Sequence, residues 1–167
     1  MSENSIILRQ GQAQRVELEK VPAAAFYPGH LVELISTDKV QKHSTAGGSV
    51  MIPMFAIEDE NQGNGIDTVY ATDGRAVCWI PQRGDWVLAI LNDDSAAITI
   101  GMALESAGNG NLTKHVSDAI DSATGATIYD KQIVAIAMEA LDLSGSSGAE
   151  TPDATLDYDK RLWVMVV

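Results

Sequence analysis

The sequence predicts an all-β protein: a small β-barrel or β-sandwich domain with an extended N-terminal arm and little helix. Three observations carry that prediction. Short apolar runs recur through the chain, and each is closed by turn-forming residues such as Thr37-Asp38, Gly47-Gly48, Asp73-Gly74, Arg83-Gly84-Asp85 and Asn92-Asp93-Asp94. Thr and Ile dominate the segment from Ile98 to Ser106, which favours strand. The last seven residues, Arg161 to Val167, combine high β-propensity with low charge, so a soluble protein must hold them paired inside a sheet. A chain closing on a paired core strand implies a closed barrel or a well-covered sandwich.

Residues 1–20 read as an arm ahead of a barrel domain spanning 21–167. Ile6-Ile7-Leu8 is a short apolar anchor, Gly11 to Gln14 is polar, and Val16 and Leu18 alternate with charged residues. By itself this stretch has too little apolar surface to order, so it must pair with its own sheet or with a neighbour. The strand expectations follow in order: Leu31 to Ile35, Val50 to Ile57, Ala76 to Ile80, Trp86 to Leu91, Ile98 to Leu104, Ala126 to Tyr129 and Leu162 to Val167. Asp73-Gly74 and Gly84-Asp85 are the sharpest hairpin-like signals, because glycine supplies the positive φ of tight turns.

Two stretches have helical composition. Val21 to Phe26 contains three successive alanines, and Lys131 to Leu143 is rich in good helix formers. The second is nevertheless assigned to strand. Val134-Ala135-Ile136-Ala137-Met138-Glu139 lies over Ile100-Gly101-Met102-Ala103-Leu104-Glu105, whose surroundings are dominated by Thr and Ile. His115 to Asp121 has room for one or two helical turns. Residues 144–155, rich in Ser and Gly, have the composition of a flexible loop.

With 167 residues, 46% of them hydrophobic, the chain can bury a core without disulfides. Through Phe55 five acids balance five bases; the remaining 18 acids face only six bases, so the whole net charge of −12 lies in the later two-thirds. A duplex-DNA binder is disfavoured, since phosphate affinity needs clustered Lys and Arg, and anionic membrane surfaces are disfavoured likewise. The N-terminus carries an acid where a secretory signal carries bases, and no run of about 18 apolar residues exists. The single Cys78 reads as a small apolar strand residue rather than a reactive thiol.

Catalytic patterns are absent from the sequence, and no cofactor is expected. His30, His43 and His115 lack the spacing of metal ligands, and no nucleophile elbow, phosphate loop or dinucleotide fingerprint occurs. Gly108 to Asn111 reads as a turn. The acidic runs Glu58-Asp59-Glu60 and Asp93-Asp94 are the remaining candidates for acid–base work or for Mg²⁺ or Ca²⁺. They lack the alternating pattern of a calcium loop and read as solvated loops. Arg83-Gly84-Asp85 spells an adhesion tripeptide but reads as an ordinary turn before a strand. A trimeric β-fold nucleotide hydrolase of this length would need Ser- and Gly-containing phosphate loops that have no counterpart.

Several segments taken together carry a family likeness: Pro28 to Leu34, Phe55-Ala56-Ile57-Glu58, Gly84-Asp85-Trp86-Val87, the two Ala-Leu/Met-Glu segments, and the Ser/Gly loop followed by Arg161 to Val166. Their order resembles the head decoration (cement) proteins of tailed bacteriophages, over residues 28 to 167. The resemblance implies a homotrimeric β-barrel added to the outer capsid surface, bridging neighbouring major capsid proteins, with terminal arms reaching across the shell. It implies a virion location after assembly in the host cytoplasm, no enzymatic activity, and no nucleic-acid or membrane partner. It names no catalytic residues. The expected capsid contacts are the arm residues Ile6, Ile7, Leu8, Arg9, Arg15, Val16 and Leu18. A tail, adaptor or baseplate β-barrel is the second reading, and an enzyme using Glu58, Asp59, Asp93 or Asp94 around a metal is the third.

Overall fold

The computed structural model describes residues 16–48, 52–92, 97–116, 132–143 and 160–167. Among the described residues, ten strands form two five-stranded sheets. Helix occurs among the described residues only as 3-10 turns, including Glu60–Gln62. The all-β expectation holds.

The first sheet runs β2 (Val32–Leu34), β3 (Lys39–Lys42), β1 (Val16–Pro22), β5 (Ala76–Ile80), β4 (Phe55–Ile57). Its two ends then meet. Leu31 bridges Phe55, the Val32 amide donates to the Met54 carbonyl and the Ala56 amide to the His30 carbonyl, so the sheet closes on itself. Strand alternation explains the filling. Leu18, Ala56 and Cys78 stand opposite one another across β1, β5 and β4 and join Phe26, Val32, Val40, Met54, Tyr70 and Ala76 in one small core. The next residues along β4 and β5, namely Phe55, Ile57, Val77 and Trp79, point the other way and join a second, larger core. That is why both strands are buried on both faces.

The second sheet runs β6 (Trp86–Ile90), β10 (Arg161–Val166), β9 (Ala135–Ala137), β7 (Ala103–Ser106), β8 (Leu112–Lys114). It too closes, through a parallel bridge from Leu91 to Leu112. The C-terminal run is therefore a central strand, paired with β6 and β9. The two look-alike segments are neighbours as well: Ala103 pairs with Ile136 and Leu104 with Ala135. Leu104, Ala135, Val164 and Leu162 share the large core with Phe55 and Trp79 of the first sheet.

Several expectations shift. Residues 16–20, assigned to the arm, belong to β1 and pair with β5, while Val21 and Pro22 of the same strand pair with β3. The alanine run after Val21 is not helical: the Ala23 amide donates to the Val40 carbonyl and Phe26 bridges Tyr70. Asp73-Gly74 places the positive φ on Asp73, at 62°, with its carboxylate bonded to Lys39 Nζ at 2.5 Å. Gly84 does take φ 93°, yet the turn it makes passes the chain from the first sheet to the second instead of forming a hairpin. The expected strand at 126–129 and loop at 144–155 lie outside the described residues, as do residues 117–121 of the helical turns expected over His115 to Asp121.

Candidate functional site

Alternation along β1 builds the most chemically loaded place on the described surface. Leu18 faces the small core, so Glu17 and Glu19 face outward, opposite Trp79 and Val77. Beside them the chain leaves β4 through Glu58, Asp59 and Glu60 and folds back, the Asp59 carbonyl accepting from the Gln62 and Asn64 amides at 3.1 Å each. Arg75 enters from the start of β5. These residues line a recess of about 200 Å³. Glu58 and Asp59 are 3% and 2% exposed, so the reading of this run as a solvated loop is corrected; only Glu60 is exposed. Arg75 Nη2 lies 2.8 Å from Glu19 Oε1 and 3.8 Å from Asp59 Oδ2. Asp59 Oδ1, fully buried, accepts no hydrogen bond from the protein.

The recess does not have the makings of a metal centre. Among the described residues no group of three His, Cys, Asp or Glu side chains is arranged to hold an ion, and Arg75 places a positive charge where a cation would sit. Asp93 and Asp94 lie outside the described residues.

The buried polar groups elsewhere act as braces between the sheets. His43 Nδ1 lies 2.7 Å from Ser106 Oγ, and His43 Nε2 lies 3.7 Å from Glu33 Oε2. This row has the residue types of a hydrolytic triad, but Ser106 is 1% exposed and its hydroxyl already accepts the Gly108 amide at 3.2 Å. A substrate has no way to reach it. Burial works against the Glu33 carboxylate, yet hydrogen bonds from Gln41 and Ser44 and the nearby His43 hold its pKa below the usual carboxylate value. Arg161 of β10 donates from Nη2 to the carbonyls of Ile66 and Pro28, at 2.9 and 3.2 Å, and lies 3.4 Å from Asp67, tying the second sheet to loops of the first. His115 Nδ1 lies 2.7 Å from Glu105 Oε2.

His30 is 2% exposed, with Nδ1 within 3.0–3.2 Å of the Tyr27 carbonyl and amide. Burial, helped by the charges of Lys42 and Arg161, lowers its pKa to about 4 against the raising effect of the Tyr27 carbonyl. Burial likewise pushes the Cys78 thiol up to about 12, so Cys78 carries no thiolate near neutral pH, as its strand setting anticipated.

Of the expected capsid contacts, Val16 is 48% exposed and Leu18 packs into the small core. Ile6, Ile7, Leu8, Arg9 and Arg15 lie outside the described residues. The recess itself escaped sequence reading because Glu17 and Glu19 were assigned to an arm. The alternation Val16-Glu17-Leu18-Glu19 was the signal that could have found it. No family model matches this chain, and no curated protein matches it.

Proposed function

We propose that the chain is a non-enzymatic structural protein that decorates a tailed-phage head. In this reading it binds the outer capsid surface as a homotrimer, and residues preceding β1 bridge neighbouring major capsid proteins without contacting nucleic acid or membrane. The observation that carries the proposal is the seating of β1. The fifteen residues ahead of Val16 lead into a strand laddered to β5 over Val16–Lys20 and to β3 at Val21 and Pro22, so whatever they grip is coupled directly to a closed sheet.

Three further considerations support it. The buried His43, Ser106, Arg161 and His30 are engaged in bonds within the fold, leaving the body a scaffold. The net charge of −12 opposes open-ended self-association of a protein present in many copies. A trimer that engages several subunits makes its second and third contacts effectively intramolecular, raising avidity by about 10²–10⁴. Because only the assembled shell is bound, its disassembly is opposed by mass action.

The test is co-sedimentation of the purified protein with empty heads, alongside its solution mass. Trimer mass and saturable binding that is lost on removing residues 1–15 are the expected results. Full decoration by the truncated protein would take those residues out of the mechanism, and a ring of six or twelve copies would move the protein to the tail.

A further inference from the structure

One end of the small core is ringed by apolar side chains that stand in water. β1 and β4 begin there and β2 and β5 end there, as their pairing directions require. Val16 stands opposite Ile80, and Leu34 opposite Val40. Ile80 and Val40 belong to the small core or pack against it, and side chains opposite one another share a face, so Val16 and Leu34 lie on the core-lining side. Yet Val16 is 48% and Leu34 50% exposed. Ile52, two residues ahead of the core residue Met54, is 62% exposed at the same end. Three large apolar side chains around one mouth differ from apolar residues scattered singly over a surface.

The backbone beside the mouth points to a strand. β3 pairs with β1 only at Val21 and Pro22, and the Ala23 amide donates to the Val40 carbonyl across that edge. Alternation turns the Glu19 amide and carbonyl to the same edge, short of where β3 begins. Such an edge can take up one more extended segment through main-chain hydrogen bonds.

We propose that this mouth and edge receive the chain's own residues 5–9, folded back along β1 as an antiparallel strand, with Ile6 and Leu8 closing the mouth. Continuity of the chain decides between occupants. The chain enters β1 at the mouth itself, so Ile6-Ile7-Leu8 is tethered to it through residues 9–15 alone, and so short a tether gives an effective concentration on the order of millimolar. A loop of Gly11-Gln12-Ala13 is a glycine-containing hairpin connection that sets Ile6 opposite Leu18 and Leu8 opposite Val16, both on the core-lining side. Ile7 and Arg9 then face outward. The residues ahead of Val16 carry Arg9 and Arg15 against Glu3 alone, whereas the whole chain stands at −12, so segment and body attract. A second copy is a poorer occupant: its β1, laid antiparallel about Leu18, would set Glu17 against Glu19 on both sides. The inference concerns the free protein and does not rest on the capsid reading, in which the same residues grip the shell.

The experiment labels the isoleucine, leucine and valine methyl groups of the full chain, looks by NMR for contacts from Ile6 and Leu8 to Val16, Leu18 and Leu34, and reads hydrogen exchange at the Glu19 amide. The expected contacts lie within one molecule and are absent between labelled and unlabelled copies in a mixed sample. Glu19 amide exchange should be about tenfold slower than in a chain lacking residues 1–15. Ile6→Gln, on the side facing the mouth, should remove the contacts and restore fast exchange, whereas Ile7→Gln, on the outward side, should leave both close to native. A segment that merely adheres would not tell these two apart. Contacts found only between copies, a Glu19 amide indifferent to removal of residues 1–15, or equal effects of Ile6→Gln and Ile7→Gln would each overturn the proposal. None of these readouts involves phage heads, so this inference and the capsid reading fail separately.

Discussion

At the scale of single residues, two tight demands of the fold fall on His30 and Gly110, which lie side by side. Gly110 takes φ +83°, and a Cβ there would meet Lys42 Cβ at 2.8 Å and His30 Cδ2 at 2.9 Å. Its amide and carbonyl also bond His43 and Leu31 across the sheet junction. Gly110→Ala therefore adds backbone strain to overpacking and should cost roughly 2–4 kcal/mol in urea denaturation. His30 makes stability depend on acidity. Its pKa is about 4 in the folded protein against 6.5 for a free side chain, so the unfolded chain takes up the proton first. The neutral ring's contribution is complete above pH 6.5 and drains away as pH falls to about 4, a loss of roughly 3 kcal/mol. His30→Gln should flatten that part of the stability profile relative to the native chain; parallel profiles for the two proteins would refute the assignment.

At the scale of elements, β1 decides where the chain can be cut. Removing residues 1–15 leaves all five β1–β5 pairs, from Val16–Ile80 to Lys20–Ala76, whereas removing residues 1–20 deletes them and exposes Cys78 and Ala76. The shorter deletion should leave the melting temperature within a few degrees of native; the longer one should yield an unfolded or aggregated product. Circular dichroism melts distinguish them, and a well-folded 21–167 fragment would contradict the placement of β1. Sequence pattern found β5, β6 and β10 almost residue for residue, because each is a continuous apolar run bounded by turn residues. It missed β1 because that strand alternates charge with apolar residues and offers too little buried surface until β3 and β5 flank it. It misread Glu58 and Asp59 for a related reason. A local stretch of acids looks solvated, and it takes tertiary structure, which sets Arg75 3.8 Å from Asp59, to bury it.

At the scale of the whole molecule, Phe55, Ile57, Val77 and Trp79 of one closed sheet share a core with Leu104, Leu162 and Val164 of the other. Neither sheet can lose its partner without exposing that surface, where each fully buried large side chain is worth about 1.5–3 kcal/mol. Unfolding should thus be a single transition, with circular dichroism, tryptophan fluorescence and Cys78 labelling reporting one midpoint. Separate midpoints would mean the sheets are independent. The seating of β1 has one more consequence, mechanical in kind. Traction applied through the N-terminus runs along the strand, while the ladder bonds to β5 and β3 lie across it, so they are loaded in shear and must rupture together instead of peeling one by one. Tugged from that end in an optical trap, the protein should yield late and abruptly, behaving as a rivet rather than a zip.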